Sequence, residues 1–359
     1  MESRVAFRKQ EILLASLALA GGAAAVAQGA PEANNSTQAQ ASNTGQWVPP
    51  GTPGSPIDGQ IFHAQVLLDL AGFPAGVIDG KKGMSFKKAL QGFQESRGLD
   101  ETGELDTPTR NALLQIGRQS TRDLKLGPEV FEGPFVYPFP KKPEAQATLD
   151  FLGYRNEIEK LAEMFHTTPD TIVALNGPDK LMREGEVLRL PNVLPGSRAY
   201  GDKLKPDYAK WFNLLNVDAN QPLGDHVVVD KSEGVLKVMD STDKLVAQFP
   251  VTMGSEHDPL PIGTWQATTY AYLPPFHYQP ELFWDVADDK EDKRLPPGPN
   301  GPVGVAWLDL TKENYGIHGT GAPETIGRAE SHGCIRMTNW DVLRLSRIMK
   351  PGFKAVFQA

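Results

Sequence analysis

The sequence has a single cysteine in 359 residues, no excess of positive charge and no apolar run long enough to span a bilayer. A lone cysteine excludes internal disulfides as structural cross-links. The formal net charge of -8 at pH 7 leaves no basic field, which excludes nucleic acid as a partner. The longest apolar run, residues 12–26, is shorter than the roughly 20 residues that a membrane-spanning helix needs.

The first residues have the pattern of an export signal. Arg4, Arg8 and Lys9 precede the apolar run, and Ala25-Val26-Ala27 has the small-x-small form of a cleavage site. We therefore expect a signal peptide over residues 1–27, with an uncleaved anchor as the alternative, and a protein that is exported to the periplasm or cell wall. Residues 28–55 are rich in small and polar residues and are predicted to form a disordered linker.

The next segment has a helical pattern. Phe86, Ala89, Leu90 and Phe93 follow a 0, 3, 4, 7 spacing on a helix expected to start at Ser85 and end near Gly98. A second helix is predicted from an N-cap at Thr107 to Gly117, and an earlier one around residues 61–71. Val77-Ile78-Asp79-Gly80 and Ala89-Leu90-Gln91-Gly92-Phe93-Gln94 resemble the motifs of the peptidoglycan-binding three-helix domain. That resemblance implies a wall-binding module over residues 56–118, with a helical packing module as the alternative.

A second small unit is predicted over residues 150–193. Ile158, Leu161, Ala162 and Phe165 give a helical stripe, Thr168-Pro169 starts a second helix, and residues 187–191 form a closing strand, although no opening strand is recognisable. Leu175-Asn176 and the closing Leu190-Pro191-Asn192 are similar to a LysM carbohydrate-binding module of βααβ form. The alternatives for this unit are glycan binding and a spacer role.

From residue 225 onward the pattern changes to strands. Residues 227–230 and 235–239 flank the polar turn Lys231-Ser232-Glu233-Gly234, which predicts a hairpin, and residues 245–253 supply a third strand-like run. The proline-rich stretch 273–302 is predicted to be a loop that covers a substrate cleft. We therefore expect a mostly β domain over residues 225–358.

The residues that indicate chemistry lie within this domain. Ile317-His318-Gly319-Thr320 is followed by Ser331-His332-Gly333-Cys334-Ile335-Arg336. A thiol becomes a useful nucleophile when a base or cation is close, and either histidine is a candidate base. His332 and Cys334 share one face of an extended strand, and the amides around Gly333 are candidate oxyanion donors, each worth roughly 3 to 4 kcal/mol. The alternatives are plain packing residues and a zinc set of His318, His332 and Cys334.

His318-Gly319, sixteen residues before the cysteine, and Ser331-His332-Gly333-Cys334-x-Arg336 together resemble the signature of the L,D-transpeptidase (YkuD-type) catalytic family. Pro261-Ile262-Gly263-Thr264-Trp265 and Gly301-Pro302-Val303-Gly304 extend the resemblance to about 130 residues. The resemblance implies a multidomain α+β protein with an N-terminal three-helix bundle, a small LysM-like unit and a C-terminal, mostly β, catalytic domain.

The resemblance also implies a role for each matching residue. Cys334 is the expected nucleophile and His318 its proton acceptor and donor, while His332, Gly333 and the Cys334 amide shape the oxyanion region. Arg336 is expected to orient the active-site loop or a substrate carboxylate, with a salt bridge inside the fold as the alternative. Ser331 is expected to fix the loop, and Asn339 to act as a helix cap or as a site residue. Gly319 completes the predicted site.

The implied reaction is acyl transfer on peptidoglycan stem tetrapeptides. Cys334 would attack the carbonyl of the third stem residue, release the terminal D-Ala and form a thioester, without a metal or organic cofactor. An amine acceptor would give a 3-3 cross-link or a tethered envelope protein, and water would give a carboxypeptidase. The resemblance further implies acylation by carbapenem-type inhibitors. A non-catalytic scaffold that binds the wall is the alternative from a different class.

Overall fold

The structure is a computed structural model that describes residues 50–52, 55, 57–255, 257–280, 291–328 and 333–359. The predicted signal peptide (1–27), most of the predicted linker, and the site residues Ser331 and His332 lie outside these ranges. Across the described ranges, no helix combines the length and apolar character needed to cross a membrane.

The secondary structure is mostly helical in the N-terminal half of the chain and mostly strand in the C-terminal half. The helices are α1 (Gly59–Ala71), α2 (Met84–Arg97), α3 (Thr107–Leu114), α4 (Pro143–Gln146), α5 (Glu157–Met164), α6 (Pro169–Asn176), α7 (Pro206–Leu214) and α8 (Asn339–Ile348). The strands are β1 (Thr121–Lys125), β2 (Val187–Pro191), β3 (His226–Asp230), β4 (Val235–Met239), β5 (Leu245–Pro250), β6 (Gly263–Tyr272), β7 (Phe276–Tyr278), β8 (Lys293–Leu295), β9 (Ala306–Leu310), β10 (Gly316–His318), β11 (Ile335–Arg336) and β12 (Lys354–Gln358).

Helices α1, α2 and α3 form the helical domain and share one apolar core, in which Phe73 and Phe93 meet edge to face at 5.9 Å. The predicted helix starts need two corrections. The cap of α3 is Asp106, whose carboxylate accepts from the Thr109 amide, so Thr107 is the first helical residue rather than the cap. Helix α2 begins at Met84, one residue before the predicted Ser85, because the extended Gly83 precedes it.

The middle unit, residues 121–193, contains an opening strand that the sequence did not reveal. Strand β1 pairs antiparallel with β2, and α5 and α6 lie between them in the chain. The unit therefore begins before the predicted boundary at residue 150. Strand β1 has the sequence Thr121-Arg122-Asp123-Leu124-Lys125 and is largely solvent-facing, so it lacks the apolar alternation by which strands are recognised.

The C-terminal domain, residues 224–358, is built on an eight-stranded sheet in the order β11-β10-β9-β6-β12-β3-β4-β5. The predicted hairpin is present as β3 and β4, which pair antiparallel. Strand β12 pairs parallel with β3, and β10 pairs parallel with β11. Helix α8 packs on this sheet through Trp340, Val342, Leu343 and Leu345, which are all buried in its core.

The helical domain covers one edge of that sheet. Helix α2 packs along the edge strand β5, and the Gln248 side chain donates to the Lys88 carbonyl at 2.8 Å. The Gln248 amide donates to the Gly72 carbonyl at 3.0 Å. At the other edge, Thr252 and Arg336 exchange backbone hydrogen bonds of 2.8 and 3.0 Å. The chain that leaves β5 therefore also supports β11.

A buried polar cluster joins the three units. Asp69 of α1 contacts His166 of the middle unit at 3.1 Å and Arg344 of α8 at 3.0 Å. Arg344 also pairs with Asp341 at 3.2 Å, and the His166 ring stacks on Trp340 at 4.8 Å. Burial alone would raise the pKa of Asp69, but the charges of Arg344 and His166 outweigh it and place that pKa well below its usual range.

The proline-rich stretch that was predicted to cover a cleft has two described parts. Strands β7 and β8 pair antiparallel as the arms of one hairpin. Beyond them, the chain is bonded to the middle unit, because the Leu152 amide donates to the Pro297 carbonyl at 2.8 Å and the Asn300 amide donates to the Leu152 carbonyl at 3.0 Å. The C-terminal part of this stretch is therefore anchored rather than free to move over a cleft.

Candidate active site

The parallel pair β10 and β11 brings His318 and Cys334 to one face of the sheet. Ile317 lies opposite Ile335 and His318 opposite Arg336, and the same register places Cys334 opposite Gly316. Both isoleucines enter the core, and since side chains alternate along an extended chain, we expect Cys334, directly before Ile335, to point to the same side as His318. Strand spacings put the two Cα atoms about 8 Å apart, within the combined reach of an imidazole and a thiol.

His318 is a buried imidazole with a defined tautomer. Its Nδ1 lies 2.7 Å from the Gly319 carbonyl, and because a carbonyl only accepts, Nδ1 carries the proton. Nε2 is then left as a proton acceptor. Burial, assisted by the nearby Arg336 charge, lowers the pKa of His318 to about 3. The ring also stacks on Trp307 at a centroid distance of 5.4 Å. His318 is therefore a neutral, oriented base near pH 7.

Cys334 is half-buried directly before β11, and its Sγ lies 3.7 Å from the Asn314 carbonyl. Burial raises the pKa of the thiol, while a hydrogen bond from the Gly316 backbone and the Arg336 charge act in the opposite direction. Both partners of the pair are thus neutral at rest. The resting pair is therefore a thiol and a neutral imidazole rather than a thiolate and an imidazolium.

Arg336 supplies the positive charge of the site. Its backbone is fixed on both sides, by β10 and by the bridge to Thr252. Its Nε is buried and has no hydrogen-bond partner among the described residues, and within that part of the chain no carboxylate pairs with its guanidinium. Of the roles predicted for Arg336, a salt bridge inside the fold receives no support from these contacts.

Gly333 adopts a conformation that favours glycine and packs on a tyrosine. Its φ is +95°, in the left-handed region that side chains rarely adopt. A Cβ at this position would lie 2.6 Å from the Tyr315 ring. Burial raises the pKa of Tyr315, and the neighbouring Cys334 adds to the effect. Gly333 therefore allows the backbone directly before Cys334 to lie against Tyr315.

Asn339 packs against Gly319, the residue that follows His318. Its Oδ1 accepts from the Val305 amide at 3.0 Å and occupies a slot beside Gly319, where a Cβ would approach it to 2.2 Å. Thr338, rather than Asn339, caps α8, since its side chain accepts from the Asp341 amide. The predicted capping role of Asn339 is thus wrong, and its carboxamide instead contacts the segment that orients His318.

Metal ligation is not supported by the described residues, which contain no group of three or more His, Cys, Asp or Glu side chains with the spacing of a metal site. His332, one of the three ligands in the alternative zinc set, lies outside those residues, as does Ser331.

Sequence reasoning missed two aromatic residues of the site, Trp307 and Tyr315. Trp307 stacks on His318, and its ring approaches β10 so closely that a Cβ at Gly316 would lie 2.3 Å from it. A glycine two residues before the histidine on the same strand face was the available signal. Gly333 was a similar signal for Tyr315, because the glycine leaves room for the tyrosine ring. Which aromatic residue lies against which glycine, however, depends on the tertiary fold.

Two family models match the chain. Residues 224–357 match "L,D-transpeptidase catalytic domain" (YkuD). Residues 58–113 match "Putative peptidoglycan binding domain". The first match contains His318, Cys334 and Arg336, and the second contains α1, α2 and most of α3.

Individual relatives show the same likeness. A Bacillus licheniformis protein named "Putative L,D-transpeptidase YkuD" is 57% identical over 56 residues, which is 16% of this chain and 34% of that protein. A Bacillus subtilis protein named "Putative L,D-transpeptidase YqjB" is 28% identical over 137 residues, 36% of this chain and 69% of that protein. L,D-transpeptidase 3 from Mycobacterium tuberculosis, solved with a faropenem-derived adduct, shows 17% identity and a TM-score of 0.32 over 38% of this chain and 60% of that chain. The chain thus aligns with only about a third of the first of these relatives.

Proposed function

We propose that this protein is a cysteine-dependent L,D-transpeptidase acting on peptidoglycan stem tetrapeptides, because residues 224–357 match the L,D-transpeptidase catalytic domain model. One observation carries the proposal: the neutral, Nδ1-protonated His318 ends β10, and Cys334 directly precedes β11, which pairs parallel with β10. This arrangement supplies a nucleophile and a base with its accepting nitrogen free.

The first half of the reaction forms a thioester. Sγ of Cys334 attacks the carbonyl carbon of the third stem residue while its proton passes to Nε2 of His318. The tetrahedral oxyanion is stabilised by backbone amides around Gly333 and Cys334, with His332 as a further candidate donor. Collapse breaks the peptide bond, and His318 returns the proton to the departing amino group of D-Ala. Trp307 keeps the imidazole oriented throughout.

The second half transfers the acyl group. An amine attacks the thioester carbonyl, its proton passes to His318, and Sγ leaves and is reprotonated. A side-chain amine of another third residue gives a 3-3 cross-link, and a lysine of an envelope protein gives a tethered protein. Water as the acceptor would make the enzyme an L,D-carboxypeptidase. Arg336, whose buried Nε has no hydrogen-bond partner among the described residues, is suited to orient a substrate carboxylate near the thiol.

The helical domain and the middle unit support the proposal of an enzyme that acts on the cell wall. The match of residues 58–113 supports peptidoglycan binding by the helical domain. We propose glycan binding of LysM type for the middle unit on its βααβ order, with a spacer as the alternative. On the basis of the N-terminal sequence, we propose export to the periplasm or wall. On the basis of the family match of residues 224–357, we propose that carbapenems acylate Cys334.

The experiment is to incubate the mature protein and its Cys334→Ala variant with disaccharide-tetrapeptide and to follow muropeptides and intact enzyme by mass spectrometry. Loss of D-Ala, a new muropeptide dimer and an acyl adduct that Cys334→Ala lacks are the expected results. Loss of D-Ala without a dimer would indicate the carboxypeptidase. No change with the wild-type protein, and no carbapenem adduct, would favour the non-catalytic scaffold.

A further inference from the structure

Glu163 is a buried acid of the middle unit that contacts the C-terminal domain. It is 5% exposed at the end of α5. One carboxyl oxygen accepts a hydrogen bond from Nδ2 of Asn339 at 2.7 Å, across the boundary between the two units. The other oxygen is hydrogen-bonded to the Tyr154 hydroxyl. A buried carboxyl is costly unless its partners are in place, so its position on this boundary needs an explanation.

The contacts continue from Glu163 to the base. Asn339 uses its Nδ2 on Glu163 and on the Pro299 carbonyl, at 2.7 and 3.0 Å, which fixes the plane of the carboxamide. Its Oδ1 is thereby turned into the slot beside Gly319 and toward the Val305 amide. The Gly319 carbonyl is the acceptor that keeps the proton of His318 on Nδ1. Only Asn339 and Gly319 separate Glu163 from the imidazole.

We propose that Glu163 is a positioning residue for the transfer reaction, by which the middle unit sets the orientation and tautomer of His318 through Asn339 and Gly319. The inference rests on the proposed function, since it assigns to His318 the role of base. Glu163 does not touch the substrate. It makes the middle unit part of the catalytic apparatus, in addition to any binding of glycan.

The chemistry of the contact explains which substitutions keep it. Glu163 accepts hydrogen bonds from Nδ2 of Asn339 and from the Tyr154 hydroxyl, and burial raises its pKa to about 8. Glutamine keeps a hydrogen bond to each partner, because its oxygen can accept from Asn339 and its amide nitrogen can donate to the Tyr154 hydroxyl oxygen. Leucine fills a similar volume without either. The pair Glu163→Gln and Glu163→Leu therefore separates hydrogen bonding from packing.

The test compares kcat and KM for D-Ala release from disaccharide-tetrapeptide, together with the tautomer of His318 in ¹H–¹⁵N spectra assigned with a His318→Gln variant. For Glu163→Leu we expect kcat to fall about tenfold, the effect of one buried hydrogen bond, with KM within about twofold. We also expect the His318 proton to distribute between Nδ1 and Nε2. Glu163→Gln should keep kcat within about twofold and the Nδ1 tautomer.

The matched control is Lys160→Met, because Lys160 is a buried charged residue of the same helix. Among the described residues, its Nζ donates to carbonyls of the middle unit, those of Glu129 and Glu132. Equal losses of kcat in Lys160→Met and Glu163→Leu would overturn the proposal, since loosening of the unit would explain both. An unchanged His318 tautomer in a folded Glu163→Leu variant would also overturn it. An inactive wild-type protein would refute the proposed function instead, and the tautomer measurement would still test the positioning.

Discussion

Replacing Arg344 with methionine would remove the cation on which the three units converge. The Arg344 side chain is 5% exposed and donates to Asp69 at 3.0 Å and to Asp341 at 3.2 Å. Methionine fills much of the same space, so the change removes charge and hydrogen bonds more than volume. Asp69 would keep His166 as a partner, and Asp341 would keep the Thr338 hydroxyl. Each carboxylate would thus lose its strongest partner while remaining buried.

Two estimates of the cost agree. Breaking a buried ion pair by removing one partner costs about 3 to 5 kcal/mol. Alternatively, Asp69 can take up a proton, and for a carboxyl with an ordinary pKa of 3.8 this costs about 4 kcal/mol at pH 7. The second route also gives a pH dependence. The cost of protonation falls below about 0.5 kcal/mol at pH 4, so the deficit of the variant should shrink as the pH is lowered.

The sign follows from the depressed pKa of Asp69 in the folded wild-type protein. That contribution to stability is fully present above the unfolded pKa of about 4 and is lost as the pH falls through the folded value. Urea unfolding, monitored by tryptophan fluorescence at pH 7 and pH 4, measures both free energies of unfolding. Trp340 stacks on His166 within the cluster and reports its opening. We also expect the transition of Arg344→Met to separate into more than one step, as units that have lost their shared contact unfold independently.

Arg183→Met is the control, because Arg183 is two-thirds exposed and pairs only with Glu186 three residues on. Its removal should change stability by less than about 1 kcal/mol at either pH. A deficit in Arg344→Met below about 1 kcal/mol at pH 7, or one that grows toward pH 4, would refute the reasoning that the cluster joins the units through charge.

Two further predictions concern the site itself. Because the pKa of His318 is lowered to about 3, its neutral form persists down to acidic pH. We therefore expect kcat/KM for D-Ala release to stay constant between pH 7 and pH 5. A decrease in kcat/KM below about pH 6.5, in a protein that circular dichroism shows to be folded, would contradict this. Gly319→Ala places a Cβ about 2.2 Å from Oδ1 of Asn339, so we expect a loss of about 1 to 3 kcal/mol in stability and a fall in kcat, checked by thermal unfolding and steady-state kinetics. Normal kcat in Gly319→Ala would show that Asn339 and Gly319 do not set the position of the base.

The segment that carries the candidate site could be recognised in the sequence, because His318 and Cys334 are sixteen residues apart, at or beside two short strands, β10 and β11, that pair with each other. The catalytic roles of these residues stay predictions. The neutral state of His318 could not be predicted. It depends on burial and on the Arg336 charge, which only the assembled sheet brings together.

The contacts between units were beyond sequence reasoning for a different reason. Asp69, His166 and Arg344 are separated by roughly a hundred residues or more and occupy positions on helices or turns where polar residues are ordinarily solvent-facing. Strand β1 was missed because its exposed, charged sequence carries no period-two signal. Apolar patterning shows which residues enter a core, but it does not show which polar residues will be buried against another unit.

The packing of α2 along β5 limits how far Cys334 can move relative to the helical domain. A binding module on a flexible linker lets an enzyme sample every bond within the radius of the linker, at an effective concentration set by linker length. Here the helical domain is fastened to the sheet that carries Cys334 by Gln248 and by the buried Asp69 cluster. Under the proposed function, a glycan bound to the helical domain would hold Cys334 at a constant distance along the glycan strand. The protein would then react only with stem peptides at a fixed spacing from the bound sugar.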